Sequence, residues 1–142
     1  MKKIFFIIAT LTLVLTACKS GDIIGGRYYG TFHNTSNNLR EAGNMSFKYS
    51  YSGGQTYFLL NNLVPLMQIA DKKFAGAAEG ATLNDLLKTV PALDSLQICE
   101  EGESIMNMTL EAEFQSNSAR ANMAFITTGN RSVNVEFVGY FE

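Results

Sequence analysis

The chain has 142 residues, of which 46% are hydrophobic, and a formal net charge of −2 at pH 7. This length suits one domain that buries a hydrophobic core of its own. Acidic and basic residues are scattered along the chain, which excludes the concentrated positive charge of a nucleic-acid-binding surface.

The first seventeen residues have the composition of a secretory signal peptide. Lys2 and Lys3 form a positive start, and residues 4–15 form an apolar run interrupted only by alanine and threonine. This run is shorter than the roughly 20 apolar residues that are needed to span a bilayer. We therefore expect residues 1–17 to be a cleaved leader.

The leader ends in Leu15, Thr16 and Ala17, and Cys18 follows. These four residues resemble the lipobox of bacterial lipoprotein precursors. The resemblance implies cleavage before Cys18, lipid on its sulfur, and a protein anchored in the cell envelope at the outer or inner membrane, facing the periplasm or the cell surface. Two or more acyl chains would hold it there stably. The alternatives are an ordinary secretory signal with a free Cys18 thiol, or a leader retained as an uncleaved helix.

The predicted organisation is a leader at residues 1–17, a lipidated cysteine and tether at 18–24, and a single β-rich domain at 25–142. Without the leader, 9 basic residues face 13 acidic ones, a formal balance of −4. If Cys18 carries the anchor, Cys99 is the one remaining cysteine, and no disulfide forms within the chain. The glutamates that follow Cys99 favour a protonated, unreactive thiol.

The first half of the domain alternates with the period of β-strands. Residues 26–33 predict a first strand, and the Asn- and Ser-rich residues 34–44 predict a loop. Gly53 and Gly54 separate two apolar runs and predict a tight hairpin, because both positions tolerate φ > 0. This hairpin would set Tyr49 opposite Phe58.

Residues 61–94 break the β pattern and predict one or two short helices inserted between residues 65 and 90. Pro65 fits the first position of one helix. Thr82 has the spacing of a helix-capping box, with leucines behind it, and Pro91 closes the segment. The Ala- and Gly-rich residues 75–81 would separate the two helices. Such an insert is expected to cover an end or an edge of the sheet.

The second half returns to strands. Residues 95–99 predict a short strand, and 106–114 alternate without a fault, as in a strand with one face in water. Further strands are predicted at 120–127 and 133–141. In the last hairpin, an odd-numbered loop sets Met123 and Phe125 on the face of the valines, whereas a two-residue turn excludes them. Burial of the larger side chains favours the odd loop.

About seven strands with one helical insert predict a mainly β fold, an antiparallel meander that curls into a small barrel or a sandwich. The lipobox, the opening Gly26-Arg27-Tyr28-Tyr29-Gly30 and the final strand at 133–139 resemble the small calycin-like, lipocalin-like β-barrel lipoproteins of Gram-negative bacteria. The chain departs from this pattern because it has no tryptophan and carries the helical insert. Many such relatives are domains of unknown function.

No residue set predicts catalysis, a cofactor or a metal site. His33 is the only histidine, which excludes a histidine-based zinc site or triad. The glutamates of 100–103 predict a solvated turn, with Ca²⁺ binding as the alternative. Glu111 and Glu113 predict an exposed strand face, with a glycosidase carboxylate pair as the alternative.

We therefore expect a non-enzymatic binding module for an apolar small molecule or a partner protein. The alternative is an accessory subunit of an envelope complex without a small-molecule ligand, for which Tyr29 and Tyr140 are candidate contacts. Methionines on inward faces more often fill a core than line a ligand site. The residues predicted to line a cavity, if the barrel is hollow, are Tyr49, Phe58, Met106, Met108, Leu110, Met123, Phe125, Val135 and Phe137.

Overall fold

The structure is a computed structural model that describes residues 25–142. The chain forms a closed barrel of eight antiparallel strands that follow one another in chain order. The strands are β1 (Gly26–Asn34), β2 (Leu39–Ser52), β3 (Gln55–Leu60), β4 (Val64–Ala70), β5 (Lys73–Glu79), β6 (Ile105–Gln115), β7 (Ser118–Thr127) and β8 (Ser132–Phe141).

The predicted mainly β fold is confirmed, and of the two predicted forms it is the barrel, an arrangement consistent with a calycin-like fold. Two short helices lie between β5 and β6: α1 (Gly80–Thr89) and a 3₁₀ helix (Pro91–Leu96). The insert leaves β5 and β6 as hydrogen-bonded neighbours, so the up-and-down order of the strands is unbroken.

Turn chemistry fixes the hairpin between β2 and β3. Gly53 and Gly54 have φ of 61° and 79°, the left-handed region that favours glycine. Tyr49 pairs with Phe58, as the two-residue loop predicts. Both the turn and its register are therefore confirmed.

The last hairpin has the odd-numbered loop, counted between its last paired residues, Ile126 and Ser132. Met123 pairs with Val135 and Phe125 pairs with Val133, and all four side chains are buried. The register that buries the larger apolar side chains has prevailed over the tighter turn.

The barrel closes between β1 and β8, where glycine faces glycine. Gly30 pairs with Gly139, and a Cβ atom on Gly30 would overlap the carbonyl oxygen of Val138. A Cβ atom on Gly139 would overlap the ring of Phe137, which packs on Phe32 with 4.6 Å between ring centroids. The two glycines thus let the first and last strands approach closely and make room for these rings.

The prediction of a helix that begins at Pro65 is wrong, because this residue lies in β4. Val64 and Leu66 are buried while Pro65 is exposed, so the segment has the period of a strand. The paired residues of β4 and β5 begin at Met67, which leaves Pro65 outside that ladder, where a strand tolerates proline. Residues 75–79, predicted as a spacer, belong to β5.

Three further local predictions are wrong. Residues 39–44 belong to β2, since the loop needs only 35–38, with Asn38 at φ 65°. Thr82 is not the cap of α1, which begins at Gly80 without a side-chain capping bond. Residues 95–99 form no strand, because the 3₁₀ helix extends to Leu96.

Candidate functional site: an aromatic rim at the open end of the barrel

The barrel has two chemically different ends. Three tight turns, at 53–54, 71–72 and 116–117, lie at the end where residue 25 enters β1, and we call this the open end. The opposite end is covered by the segment 80–104 between β5 and β6, and we call it the capped end.

Packed aromatic rings fill the interior below the open end. The ring centroid of Phe114 lies 5.0 Å from that of Phe47 and 5.3 Å from that of Phe58. Tyr28 lies 5.9 Å from Phe114, and Phe74 lies 4.8 Å from Phe58. These are the separations of aromatic pairs in contact. All five side chains are at most 2% exposed, so the rings take up the space that an apolar ligand would need.

Most of the residues predicted to line a cavity belong to this packed interior. Seven of the nine are at most 2% exposed and lie in one hydrophobic cluster, where their neighbours are other core side chains: Phe58, Met108, Leu110, Met123, Phe125, Val135 and Phe137. The sequence pattern identified their inward direction correctly. It carried no information on whether the space between them is filled.

The other two of the nine residues, Met106 and Tyr49, are exposed. Met106 is 46% exposed, because β6 has a register shift between Ile105 and Asn107 that removes Met106 from the alternation. Tyr49 is 56% exposed, and its ring lies 6.1 Å from the buried ring of Phe58. Tyr49 continues the inward row of β2, but it does so at the edge of the open end.

Exposed apolar side chains are concentrated around the open end. Of the eight large hydrophobic residues that are exposed within 25–142, seven lie on the strand halves next to this end, and Met106 is the exception. We call the seven the aromatic rim: Tyr29, Tyr49, Tyr51, Met67, Ile69, Tyr140 and Phe141.

Strand ends and irregularities hold the rim in place. Tyr29 and Tyr140 are direct partners across β1 and β8, so the two predicted contact residues form one outer pair. Phe141 rests with its ring 5.6 Å from buried Tyr28. Ile69 lies in a register shift of β4 and is 54% exposed. The rim is therefore continuous with the packed core and partly open to solvent.

The two ends also differ in charge. Around the open end, five basic side chains accompany five acidic ones, of which Glu136 is salt-bridged to Arg120: Arg27, Lys48, Lys72, Lys73 and Arg120, with Asp71, Glu111, Glu113, Glu136 and Glu142. Around the capped end, three basic side chains accompany seven acidic ones: Arg40, Lys88 and Arg131, with Glu41, Glu79, Asp85, Asp94, Glu100, Glu101 and Glu103. The described domain is thus polarised along the barrel axis, with its acidic end under the helices.

A polar network anchors the segment 80–104 to the last hairpin. The Arg131 guanidinium donates to Glu103 through Nε at 3.1 Å and Nη2 at 2.6 Å, and Nη2 also donates to the carbonyl of Ile98 at 2.8 Å. Thr127 Oγ1 donates to Glu103 at 3.0 Å. The bond from Arg131, followed by those from the backbone N–H of Glu100 and from Thr127, lowers the pKa of Glu103 to about 2. Sequence reasoning missed this pair because 28 residues separate its members.

A cleft of about 510 Å³ lies beside this network, with Cys99 in its wall. Cys99 is half-buried, and its pKa is raised mainly by burial and further by the charge of Glu103, which Arg131 partly opposes. The predicted direction is correct, although burial is the larger cause. A raised pKa keeps the thiol protonated and a poor nucleophile.

The remaining candidates lie apart from one another. His33 Nε2 is 2.9 Å from Asn38 Oδ1, at the turn after β1. Glu111 and Glu113 are exposed on β6. They lie opposite Asn122 and Arg120 of the neighbouring strand β7. Across residues 25–142, no three His, Cys, Asp or Glu side chains are grouped so that they could hold a metal ion.

No family model, curated protein or solved structure matches the chain. The predicted lipobox, with Leu15, Thr16, Ala17 and Cys18, lies outside the described residues. Neither helix of the described part is long and apolar enough to cross a membrane.

Proposed function

We propose that the protein is a lipid-anchored module of the cell envelope that binds a partner protein through its outer surface and has no enzymatic activity. The leader that ends in a lipobox supports the anchor. The observation that carries the binding mode is the packed interior, in which the predicted cavity residues contact one another. An apolar small molecule inside the barrel is therefore the less favoured of the two ligand classes.

Acylation is tested by fractionation and mass spectrometry. The mature protein from membranes should begin at Cys18 and carry a diacylglyceryl group, and Cys18→Ser should move it to the soluble fraction. Cys99→Ser is the matched control and should stay with the membrane, because Cys99 lies in the folded domain. An intact Met1, or an unmodified Cys18 in wild-type protein, would end the proposal of an anchor.

The binding mode is tested by native mass spectrometry of the acylated protein after mild extraction and crosslinking in its own membrane. The proposal expects a defined complex with a second protein and no small molecule retained by the barrel. A bound apolar molecule that leaves only on unfolding would contradict a filled interior. The acylated chain alone, with no stoichiometric protein partner, would count against the partner.

A further inference from the structure

The chain enters the barrel at the end that carries the aromatic rim. Gly26 pairs with Phe47 of β2, and the preceding residue, Gly25, lies beside the backbone of Tyr49. Seven residue steps separate Cys18 from Gly25. Seven residues span at most about 24 Å when fully extended. A lipid on Cys18 would therefore hold the open end close to the bilayer surface.

The side chains of the rim have the chemistry of a membrane interface. All four rim tyrosines are more than half exposed: Tyr29 at 51%, Tyr49 at 56%, Tyr51 at 66% and Tyr140 at 60%. A tyrosine places an apolar ring and a polar hydroxyl at one site, a combination that suits the headgroup layer of a bilayer. Ile69 and Phe141 add apolar surface without a polar group at the same end.

Basic side chains lie close to the rim. Lys72 lies in the β4–β5 turn and Lys73 begins β5, three and four residues after Ile69. Basic residues near an anionic lipid surface add to the attraction between protein and membrane. The acidic excess lies at the capped end, so an anionic surface repels the capped end more strongly than the open end.

We infer that the aromatic rim rests on the headgroup layer of an anionic bilayer, with the barrel standing on its open end and the capped end directed away from the membrane. The inference rests on the proposed anchor at Cys18. The rim is then a second point of contact with the membrane, besides the lipid on Cys18, and it fixes the orientation of the domain. The surfaces left for a protein partner are then the capped end and the outer wall.

The absence of tryptophan makes this orientation directly measurable, since one introduced tryptophan reports on a single site. The full acylated protein is prepared as Tyr51→Trp, in the rim, and as Asn84→Trp, at an exposed position of α1. Both are placed in vesicles of phosphatidylglycerol and brominated phosphatidylcholine, whose bromine atoms quench a nearby indole.

The expected result is loss of most emission from Tyr51→Trp, with a blue shift, and unchanged emission from Asn84→Trp. Equal quenching of the two variants, or none in either, would overturn the inference. A blue shift in Tyr51→Trp that depends on protein density and occurs without quenching would indicate a second copy on the rim, and would also overturn it.

A further set of variants tests the contribution of the basic side chains. In the Tyr51→Trp background, exchange of Lys72 and Lys73 for glutamine should weaken quenching, and Lys88→Gln, at the capped end, should not. Equal effects of the two changes would contradict the basic contribution. Mass spectrometry of each sample separates the two proposals. If the protein is acylated but Tyr51→Trp is not quenched, only the contact of the rim with the membrane is refuted. If the protein is not acylated, the anchor and the contact of the rim are both refuted.

Discussion

The two ends of the barrel are closed in opposite ways. At the capped end, short helices bring aliphatic side chains over the opening, with Leu83, Leu86 and Leu96 each at most 1% exposed. At the open end, no further segment of the described chain covers the barrel, and aromatic rings close it from within. A helical lid leaves a polar outer surface, whereas rings that close an end from within leave apolar surface in contact with solvent.

Polar contacts follow the same division. The capped end is joined by long-range hydrogen bonds: buried Asn34 donates to the carbonyl of Leu96 at 2.9 Å, and Arg131 binds Glu103. At the open end the salt bridge between Arg27 and Glu142 is exposed, and exposed pairs of this kind contribute little to stability. The capped end is therefore held by long-range polar contacts, whereas the apolar side chains of the open end remain in solvent.

The largest expected effect is at the centre of the aromatic interior. Phe114→Ala removes a ring that contacts four others, and it should lower the free energy of unfolding by about 4 kcal/mol. Tyr51→Ala is the matched control at the rim, and it should change stability by less than about 0.5 kcal/mol. Urea denaturation measures both. Equal losses would show that the rim and the interior are one structural unit.

The helical lid should be the next most sensitive region. Leu86→Ala removes a buried side chain of α1 and should cost about 3 kcal/mol. Hydrogen exchange should also accelerate in residues 80–96, while the 53–54 hairpin stays unchanged. Leu87→Ala, at the half-buried neighbouring position, should cost less than half as much. Faster exchange throughout the barrel would contradict a separable cap.

The Glu103 network predicts a pH dependence that is specific to the capped end. The pKa of this carboxyl is lowered from 4.5 to about 2 in the folded protein. A lowered pKa stabilises the fold fully above the unfolded value, and this stabilisation is lost as the pH falls from about 4.5 towards 2. Glu103→Gln should therefore flatten the stability profile in that window. Glu101→Gln, at an exposed position of the same loop, is the matched control for the removal of a carboxylate.

The smallest expected effect is at Met106. This side chain is exposed at the register shift of β6, so Met106→Ala should change stability by less than about 0.5 kcal/mol. Met108, two residues later, is fully buried, and Met108→Ala should cost about 3 kcal/mol. Thermal unfolding of the pair would detect the difference. Similar losses would mean that Met106 packs inward after all.

The parts of the fold that sequence predicts are those set by local chemistry and alternation. The Gly53-Gly54 turn and the burial of Met123 and Phe125 follow from the turn type and from the larger apolar area. Pro65 was misplaced because proline at a helix start and proline on an outward strand position look alike without the neighbouring ladder. At Pro65, pairing with the neighbouring strand outweighs the local preference of proline for a helix start, and this pairing is not visible in the sequence.

The candidate site was predictable only in part. Tyr29 and Tyr140 stand out in sequence because each occupies an outward position of an alternating strand, directly after a buried residue. Tyr51, Ile69 and Phe141 do not, because their exposure depends on where each strand ends relative to its partners. A register shift moved Met106 outward, and no alternation pattern reveals such a shift in advance.

The orientation of the barrel on the membrane is tested most directly by backbone hydrogen exchange. The acylated protein on anionic vesicles is compared with Cys18→Ser in solution, and exchange is followed peptide by peptide. The account predicts slower exchange on vesicles at residues 49–56 and 69–73 of the open end, with residues 80–104 unchanged. Slower exchange confined to 80–104, or no difference at either end, would contradict it.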